Sequence, residues 1–258
     1  MSEIAGRVML ITGATRGIGR ATALHFATLD ARLVVSARRA GDVDALIGEL
    51  EASGAKATGL PCDVCSDADV ERLVSHAIET YGALDFAFNN AGTFHPEDLL
   101  DEHAESVWQD SLDVLLSGVY RSMKHELRAM LRAQPDGPRA IVNNASPVGL
   151  RGSLAAGPAY TAAKHGVIGL TRQAAVTYAR RNIRVNAICP GPTLTDSTAP
   201  LLDLPDDQRS AMLSDLNPVG ELVEADHIAQ AVAYLCSAQA RMINGQALAL
   251  DGGQLAQL

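Results

Sequence analysis

Val8-Met9-Leu10-Ile11 is a short apolar run of buried-strand length, and Thr12-Gly13-Ala14-Thr15-Arg16-Gly17-Ile18-Gly19 follows it without a break. A helical pattern begins directly afterwards. Strand, glycine-rich turn and helix start together make an anion site. The glycines let the backbone approach a pyrophosphate, and a helix N-terminus presents N–H groups and positive dipole. The spacing is G-x-x-x-G-x-G rather than G-x-G-x-x-G. Its position between a strand and a helix favours a dinucleotide site over an ordinary tight turn.

The rest of the chain repeats this alternation. Strands are expected at Arg32 to Ser36, Ala57 to Leu60, Leu84 to Phe88, Ala140 to Asn143, Ile183 to Ile188 and Ala247 to Leu250. Between the third and fourth, Val70, Leu73, Val74, Ala77, Ile78 and Tyr81 recur at three and four residues, as on one face of a helix. A long helix is expected from about Glu102 to Arg132, broken by Pro135-Asp136-Gly137-Pro138. Further helices are expected from Tyr160 to Arg180 and from Glu224 to Ser237. Strands alternating with helices throughout imply an α/β domain with a doubly wound parallel sheet of seven strands and helices on both faces. A length of 258 residues suits one such domain over 1–258. The segment Thr193 to Asn217 mixes Pro, Asp, Leu and Thr after a strand carboxyl end, and is expected to be a mobile excursion that closes over substrate.

Composition excludes several classes. A net charge of −9 argues against nucleic-acid and anionic-membrane partners, and no apolar run approaches a membrane span. Met1-Ser2-Glu3-Ile4 carries no basic region or signal core, so a cytoplasmic location is expected. Four cysteines make no disulfide framework, and Cys62 and Cys65 form a lone CxxC without a second pair. No His/Asp/Glu spacing suggests a metal.

Tyr160 and Lys164 stand four residues apart, one turn apart on one helix face. The chain has eighteen Arg and only three Lys, namely Lys56, Lys124 and Lys164. Where Arg is otherwise preferred, a lysine beside a tyrosine is notable, since the two cations differ in chemistry. An ammonium near a phenol favours the phenolate and is expected to lower its pKa, making it a proton-transfer group near neutrality. A surface tyrosine beside a solvated lysine is the bland alternative. At the end of the second strand stand Ala37-Arg38-Arg39, with no acid before Asp42. In a dinucleotide fold an acid there binds the 2′-OH of NAD, and an arginine accepts the 2′-phosphate of NADP. Arg16 could reach the same phosphate; otherwise these arginines are solvated surface charges. Asp63 could bond an adenine amino group or cap a helix.

Taken together, Thr12-Gly13-Ala14-Thr15-Arg16-Gly17-Ile18-Gly19, Asn89-Asn90-Ala91-Gly92, Ser146, Tyr160 with Lys164, Ile183-Arg184-Val185-Asn186, Pro190-Gly191 and Asp251-Gly252-Gly253 resemble the short-chain dehydrogenase/reductase family, in its order and over nearly the whole chain. The resemblance implies a three-layer Rossmann fold and hydride transfer between NAD(P) and a carbonyl–alcohol pair. It implies Tyr160 as general acid/base, Lys164 bonding the nicotinamide ribose, and Ser146 bonding the substrate oxygen. The cofactor would lie along Gly13, Thr15, Arg16, Gly17, Ile18 and Gly19, with Arg38 and Arg39 at its phosphate end. Asp63 and Val64 would meet the adenine, and Asn90, Ala91 and Gly92 the adenosine ribose region. Pro190, Gly191, Thr193 and Thr195 would meet the carboxamide end. The Arg16 and Arg38 pattern resembles NADP(H)-preferring members, with NAD(H) as the alternative. A small-molecule alcohol or ketone is the implied substrate, and a homotetramer with the two long helices at one interface the implied assembly.

Three departures accompany the resemblance. Leu115 stands where the family usually places an Asn that supports a proton-relay water, so a weakened or rerouted relay is expected. Pro147 follows Ser146 and removes a backbone N–H. The interval from Ser146 to Tyr160 is about one residue longer than the family's, which leaves Ser153 as a lesser substitute. These departures also leave open a nucleotide-binding scaffold with little turnover. Phe94 and His95 line either the substrate mouth or a surface loop, and Leu154 is a further substrate-side candidate. His165 points about 100° away from Lys164, toward core or an interface. Trp108 is expected to be a packing residue.

Overall fold

The computed structural model describes residues 3–93, 99–132, 137–153, 156–196 and 198–257. The chain starts with β1 (Val8–Thr12), α1 (Gly17–Thr28), β2 (Arg32–Ala37), α2 (Ala40–Ala52), β3 (Lys56–Pro61), α3 (Asp67–Tyr81) and β4 (Phe86–Asn89). It continues with α4 (Glu105–Leu112), α5 (Gly118–Arg132), β5 (Arg139–Asn144), α6 (Pro158–Tyr178) and β6 (Ile183–Pro190). Then come β7 (Thr193–Leu194), α7 (Asp206–Leu216), β8 (Val223–Glu224), α8 (Ala225–Cys236) and β9 (Ala247–Leu250).

Seven strands form one sheet in the order β3-β2-β1-β4-β5-β6-β9, with every pair parallel. Helices cover both faces, so the strands alternate sides yet are buried on each. Val8 and Leu10 join the layer packed by α3, α5 and α6, whereas Met9 and Ile11 join the layer packed by α1, α2 and α8. That two-sided burial is why the central strands read as unbroken apolar runs. Winding proceeds outward from β1 to β3, then reverses to place β4 on the other side of β1. The reversal opens a crevice at the carboxyl ends of β1 and β4, the position where such sheets hold ligands.

Local chemistry fixes the helix ends. Ser66 caps α3 by accepting from the Asp69 N–H at 3.2 Å, and Gly82, at φ 77°, turns its C-terminus in the left-handed region. Pro158 opens α6, where its missing N–H costs nothing.

Two expectations need correction. The long helix begins at Glu105, not Glu102, and is interrupted by a π turn over Asp113–Ser117. The wider turn is tied from outside: Arg121 donates to the Asp113 carbonyl at 3.4 Å and to its carboxylate at 2.7 Å. The fourth strand begins at Phe86 rather than Leu84, and Asp85 before it uses its side chain as a brace. One carboxylate oxygen accepts the Val8 N–H at 2.8 Å and the other meets Arg7 at 3.0 Å. The excursion after β6 carries secondary structure of its own. It pairs β7 with β8, makes a 3-10 turn over Ala199–Asp203 and builds α7. Asp206 and Asp207 favour the positive end of α7, and Asp206 also pairs with Arg209.

Candidate active site

The glycine turn seats by close approach. Gly13 has φ +63°, and a Cβ there would lie 2.8 Å from the Ala91 Cα. A Cβ on Gly19 would lie 2.2 Å from the Gly13 carbonyl oxygen. The turn is thereby pressed onto the end of β4, and the Ala14 N–H donates to the Ser36 carbonyl at 2.9 Å, tying it to β2 as well. Helix α1 starts at Gly17 with no side-chain cap and no acid in its first turn. Its first N–H groups therefore face the crevice without an internal anion, which is the donor set a pyrophosphate needs. Thr195 closes this end, with its Cγ2 3.1 Å from where a Cβ on Gly17 would stand.

Beside the turn, Thr12 Oγ1 accepts the N–H groups of Asn90 and Ala91, each at 3.1 Å. The Asn90 amide donates to the Thr12 carbonyl at 3.2 Å and to the Gly13 carbonyl at 3.0 Å, while Asn144 donates to Asn90 Oδ1 at 2.9 Å. Asn90 thus clamps β1, β4 and β5 at the crevice. Lys164 joins the same knot by donating from Nζ to the Asn144 carbonyl at 2.7 Å.

Tyr160 is half-buried near the start of α6, and the Lys164 ammonium stands 5.4 Å from its ring centroid. Ser146, 7% exposed, hydrogen-bonds the phenol. The turn Pro147–Gly149 brings Ser146 there: a Cβ on Gly149 would stand 2.7 Å from the Lys164 carbonyl, so only glycine lets this turn lie against α6. Pro147 occupies the first position of that turn, where a backbone N–H would have no partner within it. Ser146, Tyr160 and Lys164 therefore come together despite the longer interval.

One electrostatic expectation is overturned. The Tyr160 phenol is raised, not lowered, because burial disfavours its anion; the Ser146 hydrogen bond offsets part of this. Burial also pushes Lys164 down to about 8. Nζ is bonded to a neutral carbonyl, and the ammonium stands 5.4 Å from the ring centroid. Burial moves both groups toward their uncharged forms, although at about 8 Lys164 is still mostly the ammonium at neutral pH.

At the far end Arg16 and Arg38 are exposed. The Arg39 guanidinium pairs with Asp42 at 2.7 Å, and among the described residues no carboxylate pairs with Arg16 or Arg38. Asp63 accepts the Cys65 N–H at 3.0 Å, so it orders its own loop. Val64 is buried under Gly118, whose Cβ would meet it at 2.8 Å. Gly191 donates to the Leu250 carbonyl at 2.9 Å, drawing Pro190 and Thr193 against the end of β9. Leu115 is buried in the π turn, its Cδ2 3.3 Å from where a Cβ on Gly92 would stand. His165 is exposed, bonding only the Thr161 carbonyl at 2.9 Å, and Trp108 is half-buried. Phe94, His95 and Leu154 lie outside the described residues.

Sequence reasoning missed Glu126, which is fully buried and accepts from the Asn89 amide at 3.0 Å. Its signal was present: Val119, Met123, Glu126, Leu127 and Met130 make one stripe, with an acid on the apolar face.

Comparison with known proteins agrees with this architecture. A family model described as Enoyl-(Acyl carrier protein) reductase matches residues 13–254. The chain is 39% identical over 256 residues to cis-4-hydroxycyclohexanecarboxylate dehydrogenase of Sinomonas cyclohexanicum, covering 98% of each chain. It is 37% identical over 246 residues to cyclohexanol dehydrogenase of an Acinetobacter species, covering 95% of this chain and 94% of the other. The crystal structure of an actinorhodin polyketide ketoreductase variant with NADPH superposes with TM-score 0.89 at 34% identity, covering all of both chains. The chain belongs to the short-chain dehydrogenase/reductase family. It is an oxidoreductase of that family.

Two outcomes are expected. Gly19→Ala keeps the fold but abolishes measurable dinucleotide binding in calorimetric titration, since its Cβ cannot fit against the Gly13 carbonyl. Lys164→Met changes the pH dependence of stability with a defined sign. The folded-state pKa lies below the unfolded one, so burying the ammonium costs stability below about 8, and that cost fades as pH rises toward the ordinary lysine value. Thermal melts of the variant and the parent should therefore differ most at neutral pH, in favour of the variant, and converge in alkali.

Proposed function

We propose that this chain is an NADP(H)-dependent reductase and dehydrogenase that interconverts a ketone and a secondary alcohol. The observation that carries the reading is convergence: Ser146, Tyr160 and Lys164 meet at the carboxyl end of the sheet, beside a glycine turn whose helix N-terminus lacks an internal anion. The nicotinamide cofactor, when bound, supplies or accepts the hydride.

The protein's own residues handle the rest. Ser146 orients the substrate oxygen and holds it against the phenol. A phenol is protonated at neutral pH and burial holds Tyr160 more firmly in that form, the one that gives a proton to a ketone oxygen as negative charge develops there. Lys164, fixed to the Asn144 carbonyl, sets a cation beside the ring whose weight grows when the phenolate forms. Leu115 gives the site an apolar wall where a relay side chain is usual, so protons reach the lysine by a route other than that side chain. Arg16 and Arg38 present guanidinium groups for a 2′-phosphate at the edge of β2.

The relatives named for cyclohexanol and for cis-4-hydroxycyclohexanecarboxylate favour a cyclic secondary alcohol as the substrate class. A homotetramer in which α5 and α6 pack against a second copy is part of the same reading. Between these helices runs a groove lined by Leu116, Tyr120, Gly166 and Leu170, and Tyr120 is 54% exposed. No described helix is long and apolar enough to cross a membrane, and a cytoplasmic location fits the reading.

The test is cofactor oxidation and reduction with a panel of cyclic and acyclic ketones and alcohols, run with both NADP(H) and NAD(H). Tyr160→Phe should lower turnover by about a hundredfold or more while NADPH binding holds; unchanged turnover would remove Tyr160 from the chemistry. Arg38→Asp should weaken NADPH binding by about tenfold or more without weakening NADH. Equal affinity of the parent for the two cofactors would refute the phosphate assignment.

A further inference from the structure

Beneath the crevice lies a buried polar chain that the proposed chemistry does not use. Asn89 and Asn143 face each other across β4 and β5, and the Asn89 amide donates to Asn143 Oδ1 at 3.0 Å. Asn143 donates to Thr171 Oγ1 at 2.9 Å, and Thr171 donates to the Val167 carbonyl at 2.8 Å. At the other end Asn89 Nδ2 donates to Glu126 Oε2 at 3.0 Å. Asn89, Glu126, Asn143 and Thr171 are each no more than 2% exposed.

Two oxygens in this chain have no hydrogen-bond partner: Asn89 Oδ1 and Glu126 Oε1. They belong to the same two side chains that already share a bond. Each is a buried acceptor left desolvated without a partner, which is costly in a dry interior. A single proton on Oε1 turns that oxygen into a donor and makes the orphaned amide oxygen its natural acceptor. Acid and amide are self-complementary in this way, each donating once and accepting once.

We propose that Glu126 is kept as an uncharged carboxylic acid that closes a two-bond ring with the Asn89 amide, and that it acts as the positioning residue for the end of β4 carrying Asn90, Ala91 and Gly92. Burial pushes the Glu126 carboxyl up to about 8, in the same direction. No cation competes for it among the described residues. On its own helix, Lys124 and His125 both bond Asp67 of α3, and Lys164 of α6 bonds the Asn144 carbonyl. The consequence runs one residue along each strand. Asn89 precedes Asn90, which clamps the glycine turn, and Asn143 precedes Asn144, which holds Asn90 and Lys164. Fixing the lower pair fixes the upper one.

The positioning half rests on the dinucleotide reading above; the protonation half does not. Infrared difference spectra of the parent against Glu126→Gln at neutral pH test the acid directly. A carboxylic-acid carbonyl band present in the parent and lost in the variant supports it, and a carboxylate band overturns it. Melting profiles add a second arm. With its folded pKa raised, Glu126 loses stability as pH rises from the ordinary carboxylate range to about 8. Glu126→Gln should remove that slope, and an identical slope in both would overturn the acid. NADPH titration tests the positioning. Gln can reproduce both bonds to Asn89 and should bind NADPH as the parent does. Glu126→Met fills similar space without either bond and should bind about tenfold more weakly. Equal losses in Gln and Met, or none in Met, would overturn positioning. A parent that binds neither NADPH nor NADH refutes the nucleotide reading, while the infrared band still decides the acid.

Discussion

What the structure depends on is the way side chains finish the hydrogen bonding where the sheet reverses direction. At the carboxyl ends of β1 and β4 no crossover helix covers the strands, so the last backbone groups have no ladder partner. The Thr12 hydroxyl and the Asn90 amide supply those partners, and the Asn144 amide holds Asn90 in place. A buried polar network holds a single arrangement only when each member is satisfied. Here that satisfaction makes the crevice floor stiff and leaves the α1 N-terminus as the set of donors still facing a ligand. Recognition of an anion then falls to a few backbone N–H groups whose place is fixed by the knot beside them.

The second theme is dryness. Tyr160, Lys164 and Glu126 are all moved by burial toward their uncharged forms. None is offset by an opposite charge of comparable weight. A site built this way holds little field of its own, so any charge that enters it acts at low dielectric and with large effect. In the proposed mechanism, acidification of the phenol belongs to the loaded site, where the phenolate forms beside the ammonium. A permanently charged pair would bind its own ions to each other and compete with the substrate oxygen.

Most of the fold was legible because both-sided burial gives strands an unmistakable apolar run, and because Val70, Leu73, Val74, Ala77, Ile78 and Tyr81 mark a helix by their spacing. The misses have physical causes. Asp85 looked like a strand residue; its backbone bonds Val8 and Ala140, but its carboxylate adds a brace to Val8 and Arg7 that spacing cannot show. The π turn at Asp113–Ser117 was hidden, since one extra residue in a turn shifts a 3.6-residue period too little to see. In the site, Tyr160 and Lys164 were readable because helical spacing alone makes them neighbours. Their pKa values were not, because desolvation comes from β5, β6 and the Pro147 turn, elements distant in sequence. Glu126 was overlooked for the converse reason: an acid on an apolar stripe reads as a flaw in the pattern until its partner Asn89 is seen across the layer.

Charge is distributed so that the edge, not the floor, meets an anionic ligand. The chain carries a net charge of −9, so a nucleotide approaches against the mean field. At physiological salt that field is screened beyond about 8 Å, and nearby groups decide the encounter. Arg39 is occupied by Asp42, which leaves the exposed guanidiniums of Arg16 and Arg38 as the local cations at the end of β2. The glycine turn that carries Arg16 is hydrogen-bonded to the end of β2 that precedes Arg38. Both arginines are therefore delivered to one edge by the same backbone contact that seats the pyrophosphate turn. On the proposed reading, affinity for a phosphate at that edge and accommodation of the dinucleotide in the crevice follow from a single piece of packing.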